Sequence, residues 1–318
     1  MKIRLPWLSQ TPLKQGRIGL AVGPDGWTVV AVSVGGDIEH CQLYADIGDP
    51  QHFVETLVDQ NQWQGRPCTV VLHPLYYQML LVEAPPVPAE EMAPAVRWRI
   101  KELLDFPVDQ AAVDYFLLPE DAYRGRKKML YAIAMRKDSL QSLVAPIEAG
   151  GLAVDNVDVA ELALHKQARL LPKGRGGTAV VHLLENEGFI NLIEDGCIYL
   201  SRSLDVGLAR LQDPAVRTAA LEALLLEIQR SLDFYESQLG KGIVADLYLS
   251  PASGDTKPVE DYLAAQLGLN VQAFSLSVAV DNDLLPANSA LALGVAMADT
   301  AVVESVAAEL EEHASAAS

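Results

Sequence analysis

The residues able to do chemistry are thinly spread along this chain. The six histidines (His40, His52, His73, His165, His182 and His313) include no HxxxH or HExxH pair, and the three cysteines (Cys41, Cys68 and Cys197) include no CxxC. Such spacings outline neither a zinc site nor a disulfide framework, so no metal ligand is assigned. An odd number of distant thiols fits a reducing compartment. His182, Ser201 and Asp205 hold the residue types of a nucleophilic triad. Nothing in their spacing brings them together, and no catalytic residue is assigned. Charge is the stronger signal. Of the 16 Lys/Arg in the first 170 residues, nine fall between Arg97 and Lys137. A basic patch inside an acidic protein can select a partner surface.

The chain around that patch is acidic, with 24 Lys/Arg against 42 Asp/Glu over 318 residues and a net charge of −18. Residues 1–170 carry −5 (16 against 21), and residues 171–318 carry −13 (8 against 21). Such a surface repels phosphate backbones and excludes a general nucleic-acid binder. Half of the residues are apolar, which is enough for a sizeable core, and the length suits two domains. No run reaches the roughly 18 apolar residues of a spanning helix; the best, Ala290–Val303, is broken by Asp299 and Thr300. No leader-like apolar stretch precedes a small-residue cleavage site. The expectation is a soluble, cytoplasmic protein. The first seventeen residues are basic (Lys2, Arg4, Lys14, Arg17) and partly apolar (Leu5, Trp7, Leu8, Leu13). That composition suits an anionic membrane face, a membrane protein or a frayed terminus. Pro6 and Pro12 argue against a long amphipathic helix there.

The elements that must position these residues alternate between strand and helix. Arg17–Ser33 reads as strand, turn and strand around Gly23-Pro24-Asp25-Gly26, with a third strand near Gln42–Tyr44. A helix over His52–Gln60, a buried strand over Pro67–His73, and a helix over Ala89–Leu104 follow. Strands are expected over Ala112–Leu118 and Lys128–Met135, then a helix over Ser139–Ala149, a strand over Leu152–Val159 and a helix over Ala160–Leu171. Pro172–Gly177 is the best linker. Beyond it, strands over Thr178–Leu184, Gly188–Glu194 and Cys197–Leu204 repeat the opening meander in topology, though not in residue identity. The longest helix, Pro214–Leu239, repeats apolar residues at Leu221, Leu224, Leu225, Ile228, Leu232, Tyr235 and Leu239. Strands over Asp246–Ser250 and Asn270–Phe274 flank a helix over Val259–Leu267, and a small-residue helix covers Ser289–Asp299.

A meander followed by helices and strands, written twice, resembles the actin-like ATPase fold. Three segments narrow the likeness. Glu91–Leu118, with Arg97-Trp98, Phe106-Pro107 and Asp114-Tyr115, resembles the PilM family of type IV pilus assembly proteins. Leu226–Gln238 is similar to the long helix of that family, and Asn288–Ala296 to its closing Ala-Leu-Gly helix. The combination looks closest to the MshI branch, from mannose-sensitive haemagglutinin pilus biogenesis. The actin-like domain of the type II secretion protein GspL is a more distant relative. The resemblance covers about residues 17–300. It implies an α/β actin-like (ASKHA) fold of two duplicated halves. The expected boundaries are a flexible basic tail over 1–16, a first domain over 17–171 with an inserted subdomain at about 85–137, a second domain over 172–300, and an acidic tail over 301–318.

Actin-like ATPases hold a nucleotide between their halves, on hairpins that offer backbone N–H groups to phosphates and carboxylates to Mg²⁺. The resemblance maps the first hairpin onto Ile18–Gly26, where Ala21 stands at the Asp position, Pro24 lacks an N–H and Asp25 occupies the turn. It maps the second onto Val181–Gly188, where His182 and Leu184 replace an Asp and a Gly. The loop after Leu249 reads Ser250-Pro251-Ala252-Ser253-Gly254 instead of carrying Gly-Gly. Nucleotide binding is therefore expected to be weak or lost, with ATP and Mg²⁺ disfavoured. A surviving site would use Gly23, Gly26, Gly188, Glu227, Arg230 and Gly254. The family's inserted subdomain binds the short cytoplasmic N-terminal segment of a single-pass inner-membrane partner. The resemblance thus implies docking of a PilN- or MshJ-like protein by Arg97, Trp98, Arg99, Phe106, Tyr115, Arg124, Arg126 and Lys128, among other pilus platform components. The chain would work at the cytoplasmic face of the inner membrane of a Gram-negative bacterium. A groove edged by these cations would receive an acidic or polar peptide, and either Ala112–Leu118 or Lys128–Met135 could accept it by strand addition.

Overall fold

The computed structural model describes residues 16–123, 127–171, 176–251, 256–275, 286 and 288–297. In chain order the elements are β1 (Arg17–Gly23), β2 (Gly26–Val32), β3 (Ile38–Tyr44), α1 (Pro50–Asn61), β4 (Pro67–Leu72), β5 (Gln78–Glu83), α2 (Ala89–Arg99), β6 (Ala111–Leu117) and β7 (Met129–Arg136). There follow α3 (Lys137–Ala149), β8 (Ala153–Val159), α4 (Ala160–Ala168), β9 (Gly177–Leu183), β10 (Gly188–Glu194) and β11 (Cys197–Leu204). The chain continues through α5 (Leu208–Gln212), α6 (Arg217–Ser237), β12 (Val244–Ser250), α7 (Lys257–Leu267), β13 (Asn270–Ala273) and α8 (Ser289–Ala296).

Contacts divide the described residues into two units, one built from 16–73, 142–167 and 289–297, the other from 74–141 and 168–288. The first unit is a five-stranded sheet of order β3-β2-β1-β4-β8. Its first three strands form an antiparallel meander, and β4 and β8 add in parallel. Val, Ile and Leu fill β1, β2 and β4, the pattern of strands covered on both faces. Helix α8 covers β1, β2 and β4, and all of its residues are buried. The helix packs closely against β1 and against α4 (Ala160–Ala168) because two glycines lack side chains. A Cβ at Gly19 would overlap the Ala292 carbonyl oxygen, and one at Gly294 the Ala163 carbonyl oxygen. The expected second domain, 172–300, is thus redrawn: its last helix belongs to the first sheet, where an apolar face was waiting for it.

Arg17 opens β1, at the start of the strand expected from Arg17. Its guanidinium lies 2.8 Å from Asp155 and 3.1 Å from the Thr69 hydroxyl, within the unit. A buried arginine needs such a partner, because an isolated charge out of water is costly. The expected tail residues Lys2, Arg4 and Lys14 lie outside the described residues.

The second unit repeats the plan, with a five-stranded sheet of order β11-β10-β9-β12-β13. Again an antiparallel meander is extended by two parallel strands. This unit also holds a three-stranded antiparallel sheet of order β5-β7-β6. One face of that sheet packs under α2 through Val82, Val96, Ile100, Leu130, Ala132 and Ala134. The opposite face, with Met79, Leu81, Phe116 and Tyr131, joins the core of the β9–β11 meander. The Tyr131 hydroxyl donates to the Ser201 carbonyl at 2.9 Å and accepts from the Ser201 N–H at 3.0 Å. The insertion was expected at about 85–137 within the first half. It starts earlier, at β5, and packs with the second sheet because both of its faces are apolar. In α6, Ala220, Leu224, Ile228, Ser231 and Tyr235 form the buried stripe, while Leu221, Leu225 and Leu232 pack at its margins.

Candidate functional site

Two regions carry the residues singled out above, namely the strand-end hairpins and the three-stranded sheet. The first hairpin joins β1 to β2 through Pro24 and Asp25 alone, with Gly23 paired to Gly26. Gly26 has φ +125°, a conformation glycine adopts easily, and a Cβ there would overlap the Tyr44 carbonyl oxygen. A Cβ on Gly23 would sit 3.2 Å from the His73 ring. Both glycines therefore serve close packing. His73 is buried, and its backbone N–H donates to the Val22 carbonyl at 3.1 Å. Burial lowers its imidazole pKa, opposed by the charge of Asp25. This two-residue turn has one N–H removed by proline and one carboxylate added. Ala21, at the expected carboxylate position, is buried opposite Thr28.

The second hairpin closes as tightly. The Leu184 N–H donates to the Glu187 carbonyl at 2.8 Å, leaving Glu185 and Asn186 at the tip. The backbone of Gly207 presses on this tip, where a Cβ would overlap Asn186. The N–H groups of Leu208 and Ala209 donate to the Leu184 and Glu185 carbonyls at 2.8 and 2.9 Å. The first donors of α5 are thus spent on the hairpin itself. A Cβ on Gly188 would sit 2.6 Å from the His182 carbonyl oxygen, so this glycine too serves packing. His182 is fully buried, with Nδ1 2.8 Å from the Ser250 hydroxyl and its ring against Phe189.

Beside this hairpin the Glu227 carboxylate accepts from the Asp205 N–H at 3.1 Å, while Arg230 on the same helix is exposed. Burial raises the pKa of Glu227, and burial followed by the charge of Asp205 raises that of Glu187. Gly254 lies outside the described residues. Among the described residues, no three His, Cys, Asp or Glu side chains gather as metal ligands.

The basic cluster of the three-stranded sheet is largely occupied. Arg97 donates to the carbonyls of Val108 and Ala111, at 2.5 and 2.9 Å, and so clamps the turn that leads into β6. Lys127 pairs with Glu83 at 3.3 Å and Lys128 with Glu120 at 2.7 Å. Arg136 pairs with Asp138 and lies over the Phe106 ring at 5.9 Å. Arg124 and Arg126 lie outside the described residues. Arg99 is exposed, and Trp98 is 72% exposed with Lys101 5.3 Å from its ring centre. Tyr115 is half-buried on the α2 side of the sheet. The expectation that Lys128–Met135 could accept an added strand fails, because β7 is the central strand and is paired on both sides. Only β6 keeps that possibility of the two.

Spacing gave no sign of one further cluster. Lys241 Nζ lies 2.5 Å from Asp121, 3.1 Å from Glu194 and 4.0 Å from the Tyr199 ring centre, while the Tyr199 hydroxyl donates to Asp121 at 3.0 Å. Burial works against the ammonium charge, but hydrogen bonds to Asp121, Tyr199 and Glu194 outweigh it and raise the pKa. This group ties the loop after β6 to the second sheet. Its members are scattered from 121 to 241, so only the fold assembles them.

No family model matches the chain, and no curated protein matches it. Solved structures do. A PilM–PilN type IV pilus biogenesis complex matches with 19% identity and a TM-score of 0.70, over 90% of this chain and 98% of that one. A Bacteroides thetaiotaomicron protein with an actin-like ATPase fold matches with 10% identity and a TM-score of 0.55, over 89% and 96%. The cytoplasmic domain of EpsL, an inner-membrane component of the Vibrio cholerae type II secretion system, matches with 12% identity and a TM-score of 0.50, over 88% and 93%. The two echoed five-stranded sheets and these likenesses together establish that the chain has the actin-like ATPase fold.

Proposed function

We propose that this chain is a non-catalytic actin-like scaffold of a type IV pilus assembly platform of the MSHA type. It docks the cytoplasmic N-terminal segment of a PilN- or MshJ-like inner-membrane partner, and it works in the cytoplasm at the inner face of that membrane. The observation that carries the reading is the likeness to the PilM–PilN complex along nearly the whole of both chains. The hairpins support the non-catalytic part. Pro24 and Asp25 fill one turn, and the α5 donors close on the other, so neither presents a ring of free N–H groups to phosphate. Exposed Trp98 and Arg99 beside an open sheet edge support docking on the three-stranded sheet. Among the described residues no helix is long and apolar enough to cross a membrane.

The test is co-purification of the tagged full chain from detergent-solubilised membranes. Recovery of an inner-membrane pilus component, lost when that component's cytoplasmic segment is deleted, supports the reading. Recovery of no such component contradicts it. The likeness to the EpsL cytoplasmic domain favours a second reading, a component of a type II secretion system. Recovery of secretion rather than pilus proteins in the same experiment would select it.

A further inference from the structure

Residues 1–15, MKIRLPWLSQTPLKQ, hold Lys2, Arg4 and Lys14 and no Asp or Glu, in a chain whose net charge is −18. The first acid along the chain is Asp25. Ile3, Leu5, Trp7, Leu8 and Leu13 stand among the cations. Cations, a tryptophan and branched aliphatics without acids are the mixture that the boundary of an anionic membrane rewards. The cations meet the headgroup charge, the indole sits at the headgroup level, and the aliphatics enter the acyl boundary. Reversible attachment needs both charge and apolar area, and this segment supplies both.

The fold shows how the segment meets the rest of the chain. The fourth cation, Arg17, is spent inside the sheet on Asp155. The chain enters β1 at Gly16, where a Cβ would overlap the Val32 carbonyl oxygen, so it enters beside the turn from β2 to β3. Val34 in that turn is 60% exposed. At this end Arg66 lies 2.7 Å from Glu39 and donates to the Val32 carbonyl. Asp155 and Glu39, the acids beside the entry, are thus matched by the fold's own arginines. Three further acids lie near this end, each on a different element. Asp37 in the turn accepts from the Ser33 hydroxyl, Asp59 is in the last turn of α1, and Glu148 is in the last turn of α3 with its pKa raised by burial. Distance settles the competition between these acids and a membrane. The 13 residues from Arg4 to Arg17 can reach at most about 40 Å. That is several times the screening length of about 8 Å at physiological ionic strength. Lys2 and Arg4 can therefore act beyond the field of the fold's acids.

We propose that residues 1–15 bind directly to an anionic lipid surface, with Lys2, Arg4 and Lys14 at the headgroup phosphates and Leu5, Trp7 and Leu8 in the interface. This attachment goes beyond the docking of a partner and does not depend on it.

The test is flotation of the full chain with vesicles of phosphatidylglycerol and phosphatidylcholine in equal parts, against vesicles of phosphatidylcholine alone, at low and high salt. The chain is expected to float with the anionic vesicles and to be released by salt. Lys2→Gln, Arg4→Gln and Lys14→Gln together are expected to lower partitioning by on the order of a hundredfold, at about fivefold for each cation. Trp7→Ser with Leu8→Ser is expected to lower it roughly tenfold or more. All five positions precede β1, so the melting curves of these variants should match that of the native chain. Should the triple variant not fold, Lys2→Gln and Arg4→Gln singly decide, each at about fivefold. Lys101→Gln with Leu103→Ser, beside the other exposed tryptophan, Trp98, is expected to leave flotation unchanged. No flotation with anionic vesicles, undiminished flotation of the folded triple variant, or a loss confined to the Lys101 and Leu103 variant overturns the assignment. The vesicles hold no protein, so each of these failures leaves the docking reading standing; that reading falls only in the co-purification.

Discussion

Arg17→Met tests where the first sheet begins and what anchors it. Arg17 and Asp155 have side chains only 10% and 11% exposed and are 2.8 Å apart, so solvent screens their interaction little. Removing the arginine leaves Asp155 charged, largely shielded from solvent and without its main partner. Breaking such a pair costs about 3–5 kcal/mol, against a total stability of order 5–15 kcal/mol for a domain. Replacing both, as Arg17→Met with Asp155→Leu, removes the desolvated charges together, and is expected to return to within about 1.5 kcal/mol of the native chain. Urea unfolding followed by tryptophan fluorescence suits the purpose. Trp27 and Trp63 are 6% and 5% exposed in the same unit, whereas Trp98, in the other, is 72% exposed and adds little change. A loss below about 1 kcal/mol in the single variant, or a double variant as weak as the sum of both singles, would refute the account of a buried anchor. Arg17 would then be a surface cation of the tail.

Three further outcomes follow from the packing and the titratable groups. Gly19→Ala is expected to cost about 3 kcal/mol or more, since its methyl would meet the Ala292 carbonyl and displace α8; the same fluorescence titration reads it. Tyr131→Phe strips the buried Ser201 backbone of a donor and an acceptor, at about 2–4 kcal/mol. Amide exchange in β5–β7 should then rise before exchange in β1 and β4. Glu187 has a folded pKa raised above its ordinary value, so its contribution favours the fold at acid pH and is lost as pH rises through that folded pKa. Glu187→Gln is therefore expected to flatten the fall in melting temperature as pH rises above the ordinary glutamate range. An unchanged slope would mean that the side chain is solvated in the native state.

Much of the fold was legible because it is written in local patterns. The alternation of Ile18, Leu20 and Val22 and the Gly-Pro-Asp-Gly turn marked the first hairpin. The same grammar after Pro172–Gly177 marked the second, and the structure gives both sheets one strand order. Strand β5 escaped notice. Its sequence, QMLLVE, is apolar on both faces because α2 covers one side and the second core the other, so it lacks a period-two signal. The five-residue α5 is too short to show a helical period. The attachment of the insertion was invisible as well, because a strand's apolar residues show that a face is covered but not by what.

The site was less legible than the fold. Counting cations between Arg97 and Lys137 suggested a basic groove, but charge becomes a surface only after its partners are known. Glu83, Glu120 and two backbone carbonyls absorb three of those cations. Trp98, by contrast, flanked by arginines in the chain, does stand exposed.

Calorimetric titration of the full chain with ATP and Mg²⁺ tests most directly the claim that an actin-like fold works here without a nucleotide. The account predicts no heat of binding up to about 1 mM ATP and no rise in melting temperature at that concentration. A dissociation constant of about 10 μM, with a matching rise in melting temperature, would contradict it. The turns at Pro24–Asp25 and Glu185–Asn186 would then have to open to hold phosphate.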